Sequence, residues 1–194
     1  MNISPQQASE LIRNRRSLYP AQYSGESIDD EVILEMLENA NWAPTHKLTE
    51  PWRFRVFKGD GIKKLADFQS ALYKELNEGK GSFDQIKYEK LQNKPLLCSH
   101  IISIGMNRNE IVPEMEEVAS VACAVQNMYL TAAAYGLACY WTTGGITFYE
   151  EAKEFFGLGT DDKLMGFLYL GKPKGKWPAG KRNPIEEKVV WVRD

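Results

Sequence analysis

The stretch from Pro113 to Gly136 constrains this chain's fold more than any other. Pro113 opens a helical pattern that runs to Tyr135, and Gly136 stands where a C-terminal cap belongs. Between them Val118, Val121, Ala122, Val125, Met128, Tyr129 and Ala132 recur at helical spacing as one apolar stripe. Ala119 and Ala133 lie beside that stripe, and small residues there let a second helix approach closely. A long central helix of this kind sets the scale for everything packed around it.

The remaining pattern supplies the partners. Ser4 and Gln7 form a capping box with Pro5 at the first helical position, and Ala8, Leu11 and Ile12 follow as a narrow apolar face. A second helix starts near Ser27 or Asp29, carries Val32, Ile33, Met36, Leu37 and Ala40 on one face, and stops at Trp42-Ala43-Pro44. Trp52, Phe54 and Val56 alternate with arginines as a strand, Gly59-Asp60-Gly61 makes a turn, and a helix follows over about 62–76. The polar, Lys- and Gly-rich residues 77–94 read as a mobile cap or poorly packed helix over something. "PLLCSHIISIGM", "LACYWTTGG" and "LMGFLYLG" are strands, and Thr147 with Glu150 predicts a capping box for a short helix ending at Gly157. Residues 172–194 form an extended C-terminal arm whose last residues, "EKVVWV", predict a final strand on a long leash, suited to pairing with another subunit. Strands and helices do not alternate as regular βαβ units, so the expected class is α+β, in a single domain over residues 1–194.

Charge and composition narrow the function. A net charge of −2 is not that of a chain built to coat nucleic acid or an anionic membrane, so any basic site must be local. No segment approaches the length of a membrane span, and no export signal is visible, which predicts a cytoplasmic protein. The 2 histidines, His46 and His100, and the scattered Cys98, Cys123 and Cys139 are too few for a convincing zinc site, and no metal is expected. The cysteines read as reduced core residues; a redox-active thiol is the sharper alternative. Asp29-Asp30 and Asp161-Asp162 read as caps and turns rather than a catalytic carboxylate pair, and no nucleotide or hydrolase motif is present. With no acid, base or nucleophile of its own in evidence, an enzyme built on this chain would rely on a cofactor.

Two basic clusters remain, Arg13 to Arg16 and Lys172 to Arg182. One cation at a helix C-terminus gains about 0.3–1 kcal/mol from the macrodipole. Three arginines in four residues repel one another, and an organic phosphate would relieve that. The tail reads as a solvated linker, or as a nucleic-acid contact with Trp177 as a stacking platform.

"NRRS", "ANWAPTHKLTEPWRFRVF", the helix followed by "GLACYWTTGG", and "MGFLYLGKPK", in that order, resemble the flavin-dependent nitroreductase family, and especially its small bacterial branch. The resemblance implies a central, mostly antiparallel mixed sheet flanked by helices, with the C-terminal strand exchanged between the subunits of a homodimer. It implies FMN as cofactor and NADH or NADPH as reductant, with hydride passing through flavin N5 to an electron-poor small molecule such as a nitroaromatic or quinone. No side chain is then required as a catalytic acid or base. By the same resemblance Arg15, Arg16 and Ser17 hold the flavin and its phosphate, and His46 approaches it from the second subunit. Trp141, Thr142 and Thr143 line it, and Lys181 and Arg182 supply further phosphate contacts. Leu48 and Glu50 stand where larger members carry Asn and Gln, and Trp42 replaces an arginine, serving either as a packed aromatic or as a flavin contact. A same-fold flavoenzyme with another acceptor (dehalogenation or dehydrogenation) and a non-catalytic binder of phosphate ligands or RNA are the alternatives.

Overall fold

The two central strands of the sheet are buried on both faces, and that explains their sequence. In the computed structural model, which describes residues 3–193, four strands lie in the order β1-β2-β4-β3: β1 Trp52–Lys58, β2 His100–Met106, β3 Ala138–Thr142 and β4 Lys163–Gly171. All three pairings are antiparallel. The expected mixed character survives only as an isolated parallel bridge from Ser17 to Cys139 on the open edge of β3. Alternate residues of the central strands serve separate cores. Ile102, Ile104, Leu168 and Leu170 pack with α2 (Asp30–Asn41) and α5 (Glu114–Ala134), whereas Ile101, Phe167 and Tyr169 pack with α3 (Asp60–Asn77). A strand with both faces covered has no polar alternation, hence the near-continuous apolar runs of β2 and β4.

The helices form where their residues predict. Ser4 Oγ accepts from Gln7 N–H at 3.2 Å and Gln7 Oε1 accepts from Ser4 N–H at 2.9 Å, which starts α1 (Pro5–Asn14). In α5 the buried stripe is Val121, Ala124, Val125, Met128, Tyr129 and Ala132; Ala124 takes the place expected of Ala122. Helix α2 lies along α5, stitched by Asn39 Nδ2 donating to Thr131 Oγ1 at 3.0 Å and Asn127 Nδ2 to the Asn39 carbonyl at 2.9 Å. Helix α1 rests against α5 and buries none of its residues, so its apolar face is only half used.

Several expectations are corrected. The Gly59-Asp60-Gly61 turn shrinks to Gly59 alone, at φ 51°, because Asp60 already begins α3. Residues 77–94 hold a helix, α4 (Gln85–Asn93), capped by Asp84 Oδ1 on the N–H groups of Ile86 and Lys87 and packed against α3. Thr147 does not cap a helix at Glu150; its hydroxyl donates to the Gly144 carbonyl at 2.9 Å, and residues 150–156 form two 3-10 turns. Within this chain the final "EKVVWV" segment pairs with no described strand, and Val190, Trp191 and Val192 are 88%, 76% and 86% exposed; the edge expected to pair with it belongs to a second subunit. The first half of the arm is anchored, with a bridge from Tyr23 to Pro173 and Lys174 N–H donating to the Gln22 carbonyl at 2.7 Å. Met1, Asn2 and Asp194, the ends of the expected domain and arm, lie outside the described residues.

Candidate functional site

The two basic clusters, 165 positions apart at their nearest site residues (Lys181 less Arg16), meet. Arg13, Arg15, Arg16, Lys181 and Arg182 line one cleft of about 520 Å³, together with Ile12, Gln126 and Gly180. Among the described residues none of these cations is in a salt bridge with a carboxylate. Like charges so gathered repel one another, and an anion in the cleft would relieve that repulsion.

The arginines divide their tasks. The Arg16 side chain donates from Nε to the Pro178 carbonyl at 2.9 Å and from Nη1 to the carbonyls of Arg13 and Arg15 at 2.6 and 2.8 Å. It brackets the end of α1 and leaves only Nη2 for a ligand, a smaller share than the family resemblance gives it. Arg15 lies with its guanidinium carbon 5.0 Å from the centroid of the Tyr129 ring and donates weakly to Ser17 Oγ at 3.4 Å. Ser17 Oγ in turn sits 3.3 Å from Tyr129 Oη. Burial raises the Tyr129 phenol above its ordinary range, so the ring remains neutral and keeps its hydrogen to share.

Tyr129 is the hinge between the cationic cleft and the predicted strand-to-turn segment. Its Oη accepts the Trp141 backbone N–H at 2.6 Å. Trp141 Nε1 donates to the Met165 carbonyl at 3.0 Å. That carbonyl is available because of a bulge in β4: Ile104 pairs with Gly166 and Gly105 with Leu164, leaving Met165 as the extra residue. Gly166 holds φ 111°, with the Thr142 carbonyl carbon only 3.0 Å from where a Cβ would stand. The bulge thus ends the β3–β4 ladder at Thr142 and aims Trp141 and Thr143 into a second cleft of about 700 Å³, with Phe148, Asp161 and Met165 on its walls. Below the turn, Gln69 Nε2 is buried without a hydrogen-bond partner, and Leu91 of α4 comes to 2.7 Å from a Cβ position at Gly145. Sequence reasoning missed Tyr129 and Gly166 as site residues. A lone glycine inside a strand pattern was the available signal for the bulge; a tyrosine inside a helical stripe offered none.

His46 stands apart from both clefts. It pairs through Nδ1 with Glu116 on the first turns of α5, and both side chains are half exposed. Its loop is strained: Lys47, Leu48 and Glu50 have φ of 51°, 53° and 42° without being glycine, at about 1–3 kcal/mol each. Trp42, whose indole donates to Glu38 at 3.2 Å, is 79% exposed and is not a packed aromatic within this chain. Two of the thiols, Cys98 and Cys139, are held protonated. Burial pushes Cys98 up to about 12 and drives Cys139 further in the same direction, which removes the redox-active reading of these two. His100 is a structural residue, with Nδ1 2.9 Å from Ser99 Oγ and Nε2 3.1 Å from Asp30 Oδ1.

An antiparallel sheet covered by helices, with a cation-lined cleft and a bulge-directed turn linked to it through Tyr129, defines an α+β protein. Residues 12–172 match the sequence profile of the nitroreductase family. The chain belongs to that family. It is 33% identical over 171 residues to the provisionally named NAD(P)H nitroreductase YdjA of Escherichia coli (strain K12), covering 87% of this chain and 90% of the relative. A crystal structure of the nitroreductase-like family protein from Bacillus cereus superposes with a TM-score of 0.82 at 28% identity, covering 100% of both chains. A provisionally named nitroreductase from Desulfovibrio desulfuricans, solved in complex with FMN, shares the fold with a TM-score of 0.74 at 22% identity, over 100% of this chain and 99% of that one.

Proposed function

We propose that the chain is an FMN-dependent NAD(P)H oxidoreductase, acting as one domain within a homodimer and reducing an electron-poor small molecule such as a nitroaromatic or quinone. The observation that carries this reading is the convergence of five cations, none paired with a carboxylate among the described residues, from both ends of the chain on one cleft, joined through Tyr129 to the Trp141–Gly145 turn. A phosphate monoester fits the first feature. A flat ring system fits the second.

When bound, FMN supplies the redox chemistry, taking a hydride from NADH or NADPH and returning two electrons to the acceptor. The protein's part is positional. Arg15, Lys181 and Arg182 would hold the phosphate through charge-assisted hydrogen bonds, with Arg16 adding its free Nη2 edge. Ser17 would hold the ribityl chain. Trp141, Thr142 and Thr143 would line the ring and offer donors where negative charge develops. Helix α4, seated on Gly145, would roof the open face.

The homodimer is supported by what one chain leaves uncovered: the apolar residues of the arm, the α1 face and the strained loop bearing His46, which would reach the partner's flavin. Strain of this kind persists where a surrounding structure over-determines it. The three free thiols suit the reducing cytoplasm, where we place the protein.

The test is an anaerobic titration of FMN-loaded protein with NADH and NADPH. Bleaching of the visible flavin band, restored on adding an acceptor, is the expected result. Protein that takes up no FMN, or whose FMN neither reductant bleaches, refutes the assignment. A second reading, another acceptor on the same scaffold, is favoured by two relatives: 5,6-dimethylbenzimidazole synthase of Rhodospirillum rubrum, 26% identical over 175 residues, and human iodotyrosine deiodinase 1, 26% identical over 204 residues. A panel of nitro, quinone and halogenated acceptors separates the two.

A further inference from the structure

The residues between Gly171 and Lys181 have no part in the reading above, yet they bring the chain back to α1. A helix ends with carbonyls that lack partners and with a partial negative charge. In α1 these groups are met from far along the sequence. Trp177 Nε1 donates to the Asn14 carbonyl at 2.7 Å, and Arg16 joins the carbonyls of Arg13 and Arg15 to that of Pro178. Next along the arm, Gly180 lies flat against the Arg16 guanidinium: a Cβ there would collide first with Nη2 and would stand 2.5 Å from Cζ and 2.9 Å from Nη1. Gly180 is needed for this closeness rather than for a left-handed backbone. Arg16 cannot give way without releasing the carbonyls it holds. Lys181 and Arg182 follow directly, and a chain advances at most about 3.6 Å per residue, so where Gly180 docks decides where these two cations reach.

We infer that Trp177 and Gly180 are positioning residues of the phosphate site. They dock the arm on the end of α1, so that Lys181 and Arg182 face the same cleft as Arg13 and Arg15. The inference rests on the reading of that cleft as the FMN phosphate site. It adds that two of the cleft's five cations are delivered by a segment which, beyond its anchor at Pro173 and Lys174, is held by this dock.

The experiment compares FMN with riboflavin, which lacks the phosphate, by quenching of flavin fluorescence on the full-length chain. The unaltered protein is measured beside Gly180→Ala and Trp177→Phe; the second keeps the ring's packing and removes its N–H donor. Losing one charge-assisted phosphate contact corresponds to roughly tenfold in Kd. Gly180→Ala is expected to weaken FMN by about tenfold or more, Trp177→Phe by less, and neither should change riboflavin affinity. Limited proteolysis should cut the arm of Gly180→Ala faster than that of the unaltered chain, with FMN protecting only the latter. An unchanged FMN-to-riboflavin ratio in both variants overturns the positioning role, and so does an equal loss for both ligands. An unaltered protein that does not prefer FMN to riboflavin refutes the phosphate reading itself, and the dock falls with it.

Discussion

Replacing Gly166 with alanine tests whether the bulge in β4 sets up the site. At φ 111° an L-residue is strained, at a cost of about 1–3 kcal/mol. The added methyl would also collide with the Thr142 carbonyl oxygen, with the carbonyl carbon at 3.0 Å and Trp141 Nε1 at 3.1 Å. Overpacking of that sort adds about 1–3 kcal/mol. β3 is an edge strand and can retreat, which relieves part of the clash, so a total loss near 3 kcal/mol is expected. For a chain of this size that lowers Tm by about 6–12 °C. The assay is urea unfolding with the slope checked for constancy, beside a thermal scan. A loss under about 1 kcal/mol would mean that β3 does not depend on the bulge. The account of how Trp141 and Thr143 are aimed would then fail.

Tyr129→Phe removes the oxygen that accepts the Trp141 N–H, leaving that donor unmet at about 1–3 kcal/mol; hydrogen exchange at the Trp141 amide should accelerate, and unchanged protection would remove Tyr129 from its linking role. Glu117, 1% exposed, accepts from Arg108 Nη1 at 2.6 Å and from Asn109 N–H at 2.9 Å, so Glu117→Ala should cost about 3 kcal/mol in chemical denaturation and Glu117→Gln clearly less. Cys98, pushed up to about 12 by burial, keeps its proton in the folded chain at pH values where the unfolded chain loses it. Stability from this group is therefore whole below the ordinary thiol range and declines as pH rises above about 9. In the native state at pH 8, Cys98 should react with a thiol reagent far more slowly than in urea; equal rates would contradict its burial.

The legible parts of the molecule were those written locally. The capping box of α1, the stripe of α5, and the double-sided apolar runs of β2 and β4 follow from neighbours in sequence, so they are readable from it. Thr147 misled because no helix starts directly after it: the next turn begins at Glu150 with Tyr149 before it, and the Thr147 hydroxyl donates back to the Gly144 carbonyl. The arm is a different case. A strand exists only through the edge it pairs with, and "EKVVWV" has none within the described chain. Leu91 on Gly145 shows why residues 77–94 looked unpacked: their anchoring contact lies on a turn more than fifty positions away.

By itself the sequence determined that cations crowd both ends of a mildly acidic chain, that a long helix and apolar strands build an α+β core, and which family the segments resemble. Only the tertiary structure decided that the two cationic ends share one cleft, that Arg16 spends most of its donors on backbone carbonyls, and that Tyr129 and the Gly166 bulge aim the Trp141 turn. The physical reason is range. Helix and strand patterns arise from steric and hydrogen-bonding preferences over a few residues, whereas a binding site is set by contacts between segments that meet only after the core has packed.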